Sequence, residues 1–299
     1  MGKKKRKYDK GASVGFLMAL PTVLGLILLN IYPLCRTVYM SFFKSGAFGK
    51  WTFVGLDNYV TMFQSAGFWT VTKNTLLFML LTVPVTVVLG LLIAVLLNHS
   101  INGKTAFRAI YFLPMVVAPA AVAMVWKWLF NAEYGIINIV LGALHLPSKI
   151  QWISDPKTAL LACAIVTIWS SVGYDAILLL SGLQSISKSY YEAARIDGAN
   201  SFQQFKSITI PLVSPTLFFV LMMRVMASLK VFDIVYMMIE KTNPAIRSCE
   251  TILYNFYQET FVKNNKGYGS ALVVWCVILI AIITAVQFIG QKKWVTYDV

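Results

Sequence analysis

Thr167, Ser170, Ser171 and Tyr174 recur at helical spacing inside one long apolar segment, with Trp169 among them. Residues three and four apart share a helix face, so this face offers hydroxyls and a phenol beside an indole ring. Such a set suits a polyhydroxylated solute, hydroxyl to hydroxyl and ring to sugar face. The alternative is that small hydroxyl residues merely let helices pack closely, as they do in membrane bundles. A second apolar segment carries Arg224 and, four residues on, Ser228. An unpaired guanidinium inside a span costs at least ~3 kcal/mol on insertion scales, so Arg224 requires a partner. Three readings stand for it: an ion pair with Asp175 or Asp233, a contact to a neutral sugar, or recognition of an acidic sugar group. Pro211 precedes Arg224 by about 20 Å of helix at the usual rise, which sets the arginine past the middle of its span.

Catalysis finds no support in the residue types. Cys35, Cys163, Cys249 and Cys276 share no C-x-x-C spacing, and His99 and His145 stand alone, so no metal site and no disulfide framework is expected. The run Asn102 to Thr105, NGKT, imitates the end of a phosphate-binding loop, but Asn98 stands where the first glycine belongs and no strand precedes it. No catalytic residue is assigned.

The elements that position these residues follow from composition. Hydrophobic residues make up 58% and charged residues 13% of the 299, against roughly 25% charged in soluble domains. Six apolar stretches reach the ~20 residues needed to cross a bilayer: about 13–34, 74–97, 109–130, 159–183, 211–229 and 269–289. The expected fold class is therefore an all-α integral membrane protein of six transmembrane helices spanning 13–290. Pro21, Pro84, Pro114, Pro119 and Pro215 lie within the spans and predict kinks. Residues 1–12 form a basic tail and 291–299 a second tail, both expected in the cytoplasm because Lys3, Lys4, Lys5, Arg6, Lys7, Lys10, Lys292 and Lys293 flank the outermost spans. The net charge of +14 is read against anionic membrane lipid and not against nucleic acid. Trp126, Trp128, Phe232 and Tyr236 suit either an interfacial aromatic belt or ligand contact.

This topology sets residues 184–210 in the cytoplasm between the fourth and fifth spans. Ser189 with Glu192 and Ser201 with Gln204 read as two capping boxes, and Gly198 suits a left-handed helix end. The expectation is two short helices at an angle, about 190–197 and 202–207, with Pro211 opening the next span. A plain connection needs only a few polar residues, so this loop is shaped as a surface for another protein.

Glu192, Ala193, Ala194, then Gly198, Ile208 and Ile210-Pro211 resemble the pattern E-A-A-x3-G-x9-I-x-L-P of binding-protein-dependent ABC importer permeases, with Ile210 in place of the usual leucine. The stretches FVGLDNY (53–59), FRAIYFLP (107–114), GLQSISKSYYEAARIDGA (182–199) and FDIVYMM (232–238) are similar to the carbohydrate-uptake branch that includes the maltose-type permeases. The resemblance covers nearly all of the chain from the first span onward. It implies an ABC importer permease bundle whose loop residues Glu192, Ala193, Ala194, Asp197, Gly198 and Ala199 seat on a cytosolic ATPase. It also implies a substrate path at Thr167, Trp169, Ser170, Ser171, Tyr174, Arg224 and Ser228. The implied partners are a second homologous permease, two ATPase subunits that bind ATP and magnesium, and an extracytoplasmic solute-binding protein. The chain itself would hold no cofactor and would sit in a bacterial cell membrane. Glu192 would face a basic residue of the ATPase or only close its own capping box. An ion-coupled secondary carrier is the competing class, but it needs no docking loop, and no internal carboxylate chain suits a proton relay.

Overall fold

The computed structural model describes residues 9–46, 50–98 and 103–297, so the basic run at 3–7, Asn102 and His99 lie outside the described residues. The chain runs through α1 (Asp9–Leu26), a π-helical turn (Ile27–Ile31) and α2 (Tyr32–Met40), which together make the first span. A two-stranded antiparallel hairpin of β1 (Phe43–Ser45) and β2 (Trp51–Phe53) follows, with Phe43 opposite Phe53. Next come α3 (Asp57–Gln64), α4 (Ala66–Asn98), α5 (Lys104–Val116), α6 (Pro119–Leu129), α7 (Ile136–Ala143) and α8 (Ala159–Gln184). Beyond them are α9 (Lys188–Ile196), α10 (Ser201–Gln204), a second π-helical turn (Phe205–Thr209) and α11 (Ile210–Leu229). The chain closes with α12 (Asp233–Met238), α13 (Ile246–Cys249), α14 (Ile252–Tyr257), a third π-helical turn (Gln258–Val262) and α15 (Lys266–Gln291).

Five of the expected spans form, and the third differs. Instead of one kinked helix it consists of α5 and α6 set at 99° to each other. The cause is Pro119. The residue before a proline is forced out of the helical region, and Val117 and Ala118 take ψ values of 137° and 132°. Pro21, Pro84, Pro114 and Pro215 stay inside helices. The first two π-helical turns also trace to proline. Each ends two residues before one, Pro33 and Pro211, and the widened turn moves bonding to the fifth residue back, as in Tyr32 N–H to Ile27 O and Ile210 N–H to Phe205 O. Widening relieves the clash between a proline ring and the carbonyl four residues before it.

The core is the long α4–α8 crossing, with α11 laid against both. Val83, Val87, Leu179, Leu183, Val213 and Val220 are among the buried residues that fill it. Helix α5 crosses α8 so closely that a β-carbon on Gly173 would overlap the carbonyl oxygen of Tyr111, the small-residue packing that membrane helices use. Asn74 on α4 donates to the carbonyls of Arg247 and Glu250, at 3.1 Å each, and so holds α13 and its following turn to the bundle. The first span packs differently. Its apolar window buries nothing within this chain, and only the α2 half lies along α15. At the other terminus the chain turns back, with Trp294 edge-on to Phe218 and the Thr296 N–H donating to Ser214 Oγ at 2.9 Å. The segment 291–297, expected as a plain tail, is thus fastened to α11.

Candidate functional site

Two regions hold the residues singled out from sequence, and one helix joins them. In the loop, α9 starts two residues earlier than expected, at Lys188 and not 190. Ser187, in extended backbone, is the N-cap and accepts from the Ser189 N–H at 3.4 Å, while the two hydroxyls lie 2.8 Å apart. The Ser189–Glu192 capping box therefore does not form, because Ser189 is already inside the helix. Glu192 points its carboxylate into open surroundings instead. The far end of α9 matches expectation: Gly198 has φ +80°, its N–H donates to Arg195 O, and the Ala199 N–H donates to Ala194 O. That is the paired bonding of a Schellman helix end.

The second capping box is also displaced. Asn200 and Gln203, not Ser201 and Gln204, exchange side-chain and backbone bonds at 2.9 and 2.8 Å. Gln204 instead donates to Ala199 O at 2.8 Å, closing the corner from inside. Instead of a separate helix at 202–207, residues Ser201–Leu229 make one unbroken helical run of 29 residues. The Tyr191 hydroxyl meets Thr209 Oγ1 at 3.0 Å, which pins α9 to that run.

Of the loop residues expected to meet a partner, Glu192, Ala193, Asp197 and Gly198 are exposed, and Ala194 and Ala199 are half-buried. Sequence reasoning overlooked Ile196 and Phe202, which are 86% and 73% exposed on either side of the corner. Their signal was present as two apolar side chains in a polar loop, the mark of a protein contact.

At the other end of the same helix, Arg224 donates from Nε to Asp175 Oδ1 at 2.7 Å. The Asp175 side chain is 1% exposed and that of Arg224 17%, and the guanidinium carbon sits 5.6 Å from the Tyr174 ring centre. Asp233 is not the partner. It lines a cavity of about 240 Å³ together with Thr167, Ser170, Ser171 and residues at the α5–α6 break. Thr167 and Ser171 also line a smaller cavity of about 70 Å³ with Arg224, Ser228, Thr82 and Thr86. The structure thus brings Thr167, Ser170, Ser171, Tyr174, Arg224 and Ser228 together across α8 and α11. Trp169 departs from the group: it is exposed on the face of α8 that meets Trp126, ring centres 5.5 Å apart. Thr82 and Thr86 went unrecognised, although their four-residue spacing in a Leu- and Val-rich span was legible.

At the opposite end from residues 184–210, a basin of about 560 Å³ is lined by Lys127, Asn131, Glu133, Trp152 and Glu240 among others. Lys127 and Glu240 meet at 3.4 Å across it. Phe232 and Tyr236 stack at 5.2 Å and join Tyr254 and Tyr257 in one aromatic cluster. Nearby, burial pushes the Glu250 carboxyl up from its ordinary value, against the pull of Lys263 and Arg247.

Helices long and apolar enough to cross a membrane, with cavities between them that hold hydroxyls and an arginine, define a multi-pass membrane component. The chain belongs to the binding-protein-dependent transport system inner membrane component family, whose model matches residues 86–293. It is 34% identical to the trehalose/maltose transport system permease protein MalF of Thermococcus litoralis, over 94% of each chain. It is 35% identical to the sulfoquinovosyl glycerol transport system permease protein SmoG of Agrobacterium fabrum, over 90% of this chain and 87% of that one. The lactose transport system permease protein LacF of Rhizobium radiobacter is 30% identical, over 97% of this chain and 96% of its own length. Among solved structures, a chain of a bacterial alginate ABC transporter, crystallised with an alginate pentasaccharide-bound periplasmic protein, shares the fold. Its TM-score is 0.85 at 22% identity, covering 97% of this chain and 98% of that one. The protein is a multi-pass membrane permease subunit of a binding-protein-dependent ABC importer.

Proposed function

We propose that this chain lines half of the path by which a sugar, in the form of an oligosaccharide, enters a bacterial cell. The observation that carries the reading is the 29-residue run Ser201–Leu229, which presents Phe202 at one end and holds Arg224 and Ser228 at the path at the other. A push on the corner reaches the path through a helix stiffened by its own backbone bonds, and the Tyr191–Thr209 contact makes α9 move with it. The cargoes named for the relatives, trehalose/maltose, lactose and sulfoquinovosyl glycerol, are glycosides, and cavities that offer hydroxyls beside apolar surface fit that class.

In this reading the termini and residues 184–210 face the cytoplasm. There Glu192, Ala193, Ala194, Asp197, Gly198 and Ala199, with Ile196 and Phe202, seat on one of two ATPase subunits that bind ATP and magnesium. The carboxylate of Glu192, free of a capping role, pairs with a basic residue of that subunit. The basin at Lys127, Trp152 and Glu240 faces the solute-binding protein. A second homologous permease completes the path and covers part of the first span, whose apolar window is left unburied by the described residues of this chain; lipid covers the rest. ATP-dependent uptake of a labelled oligosaccharide by proteoliposomes holding both permeases, the ATPase and a loaded binding protein tests the reading. Equal uptake by this chain alone, without ATP, would overturn it.

A further inference from the structure

Four of the five hydroxyls at the smaller cavity share one property: their protons are turned away from it, the exception being Ser171. Thr82 donates to Phe78 O at 2.8 Å, Thr86 to Thr82 O at 2.7 Å, Thr167 to Cys163 O at 2.9 Å and Ser228 to Val225 O at 2.9 Å. A hydroxyl whose proton goes to its own helix offers only lone pairs to a visitor. The wall of the smaller cavity is largely apolar, from Phe78, Val83, Ala227 and Val231; its polar part is mainly acceptors, with Ser171 and the stronger Arg224 as donors. That side chain gives Nε–H to Asp175 and keeps the N–H groups of its two terminal nitrogens. The charges at the path are also unequal. Arg224 is paired with Asp175, and a second carboxylate, Asp233, is exposed at the adjoining cavity with no ion-pair partner among the described residues.

We propose that this half of the path selects neutral, donor-rich cargo and turns away anionic cargo, with Asp175 as the positioning residue that cancels the charge of Arg224 while leaving its terminal donors free. The inference rests on the reading of this chain as a sugar permease and deepens it. Sugar hydroxyls donate to the threonine and serine oxygens, and a ring or glycosidic oxygen accepts from the guanidinium. A carboxylate, sulfonate or phosphate meets a row of lone pairs, an unpaired aspartate and a guanidinium already engaged, so specificity comes as much from repulsion as from attraction.

The local charge can be read without knowing the cargo. Ser171 lines both cavities. In the assembled importer, Ser171→Cys is combined with Cys35→Ser, which removes the exposed native thiol; Cys163, Cys249 and Cys276 are buried. The thiolate attacks the sulfenyl sulfur of a methanethiosulfonate, a mixed disulfide forms and methanesulfinate leaves. The probes are the sulfonate-bearing and trimethylammonium-bearing reagents, each rate normalised to a free thiol and read by mass spectrometry of the peptide holding position 171. The anionic reagent is expected to react no faster than the cationic one. Asp175→Asn should raise the anionic-over-cationic ratio on the order of tenfold, within the range by which charged clefts concentrate ions, and Arg224→Gln should lower it. A parent ratio that favours the anionic reagent overturns the proposal, and so does an unchanged ratio in Asp175→Asn or no labelling by either reagent. If Asp175→Asn fails to assemble, the parent ratio decides. Expected ratios, together with no sugar uptake by the complex that retains Ser171, would instead sink the permease reading and leave the charge assignment standing.

Discussion

Arg224 on α11 and Asp175 on α8 meet at 2.7 Å, so two spans that line one cavity are joined by one ion pair whose acidic member is buried. Removing one partner of such a pair strands the other, at a cost of about 3–5 kcal/mol in buried sites. Arg224→Gln and Asp175→Asn should each lower the thermal midpoint of the purified complex, and the double variant should recover much of the loss. Additive losses in a double-mutant cycle would show that the two residues do not act as a pair.

Gly198 has φ +80°, yet nothing lies within 4 Å of where its β-carbon would be. Substitution there is opposed by backbone strain alone, about 1–3 kcal/mol, and not by a clash. Gly198→Val should leave assembly intact and uncouple ATP hydrolysis from uptake, whereas Gly198→Asn, which tolerates the left-handed region, should retain most uptake. Equal uptake by all three proteins would remove this corner from the coupling route.

The opposite case is Gly173, where a β-carbon would strike the Tyr111 carbonyl. Gly173→Ala must push α5 off α8, and overpacking of this kind costs about 1–3 kcal/mol. A thermal midpoint unchanged by the substitution would mean that the two helices do not cross so closely.

The spans were legible because lipid demands long apolar runs, and Gly198 because few residues accept its backbone angles. The helix starts were not. Ser185, Ser187 and Ser189 alternate around the start of α9, and Asn200 and Ser201 each stand three residues before a glutamine. Local pattern allows several caps, and the tertiary path of the chain decides among them. The same holds for proline: of those inside the expected third span, Pro114 is absorbed in α5 while Pro119 ends it. Arg224 had two carboxylate candidates on the page of the sequence. Asp175, 49 positions away, is chosen over Asp233 because α8 and α11 cross at that level.

Glu250 supplies a pH dependence. Burial, the largest influence, raises its carboxyl above the ordinary value despite Lys263 and Arg247. The folded protein therefore holds this proton more tightly than the unfolded chain. The destabilisation is fully present above the raised value and is relieved as pH falls through it toward the ordinary carboxylate range. Glu250→Gln should raise the thermal midpoint at about pH 8 and lose that advantage by about pH 4, below the usual glutamate range. A gap that stays constant across the titration would mean that the ionised form is not the source of the penalty.

Ile196 and Phe202 flank the corner between α9 and α10, and together they expose apolar surface that the bundle does not need for its own core. Their removal should therefore spare the fold. Ile196→Ser with Phe202→Ser should leave yield and thermal midpoint of the permease nearly unchanged, since exposed substitutions usually shift stability by no more than about 0.5 kcal/mol. Co-purification of the ATPase should fall sharply, because desolvated apolar anchors at the centre of an interface carry most of its binding energy. Glu192→Gln serves as the electrostatic counterpart: a rim charge acts more on association rate and salt dependence than on the assembled complex. An apolar double variant that retains the ATPase at wild-type stoichiometry, with uptake intact, would place the docking surface elsewhere on the chain and leave the continuous helix without its driver.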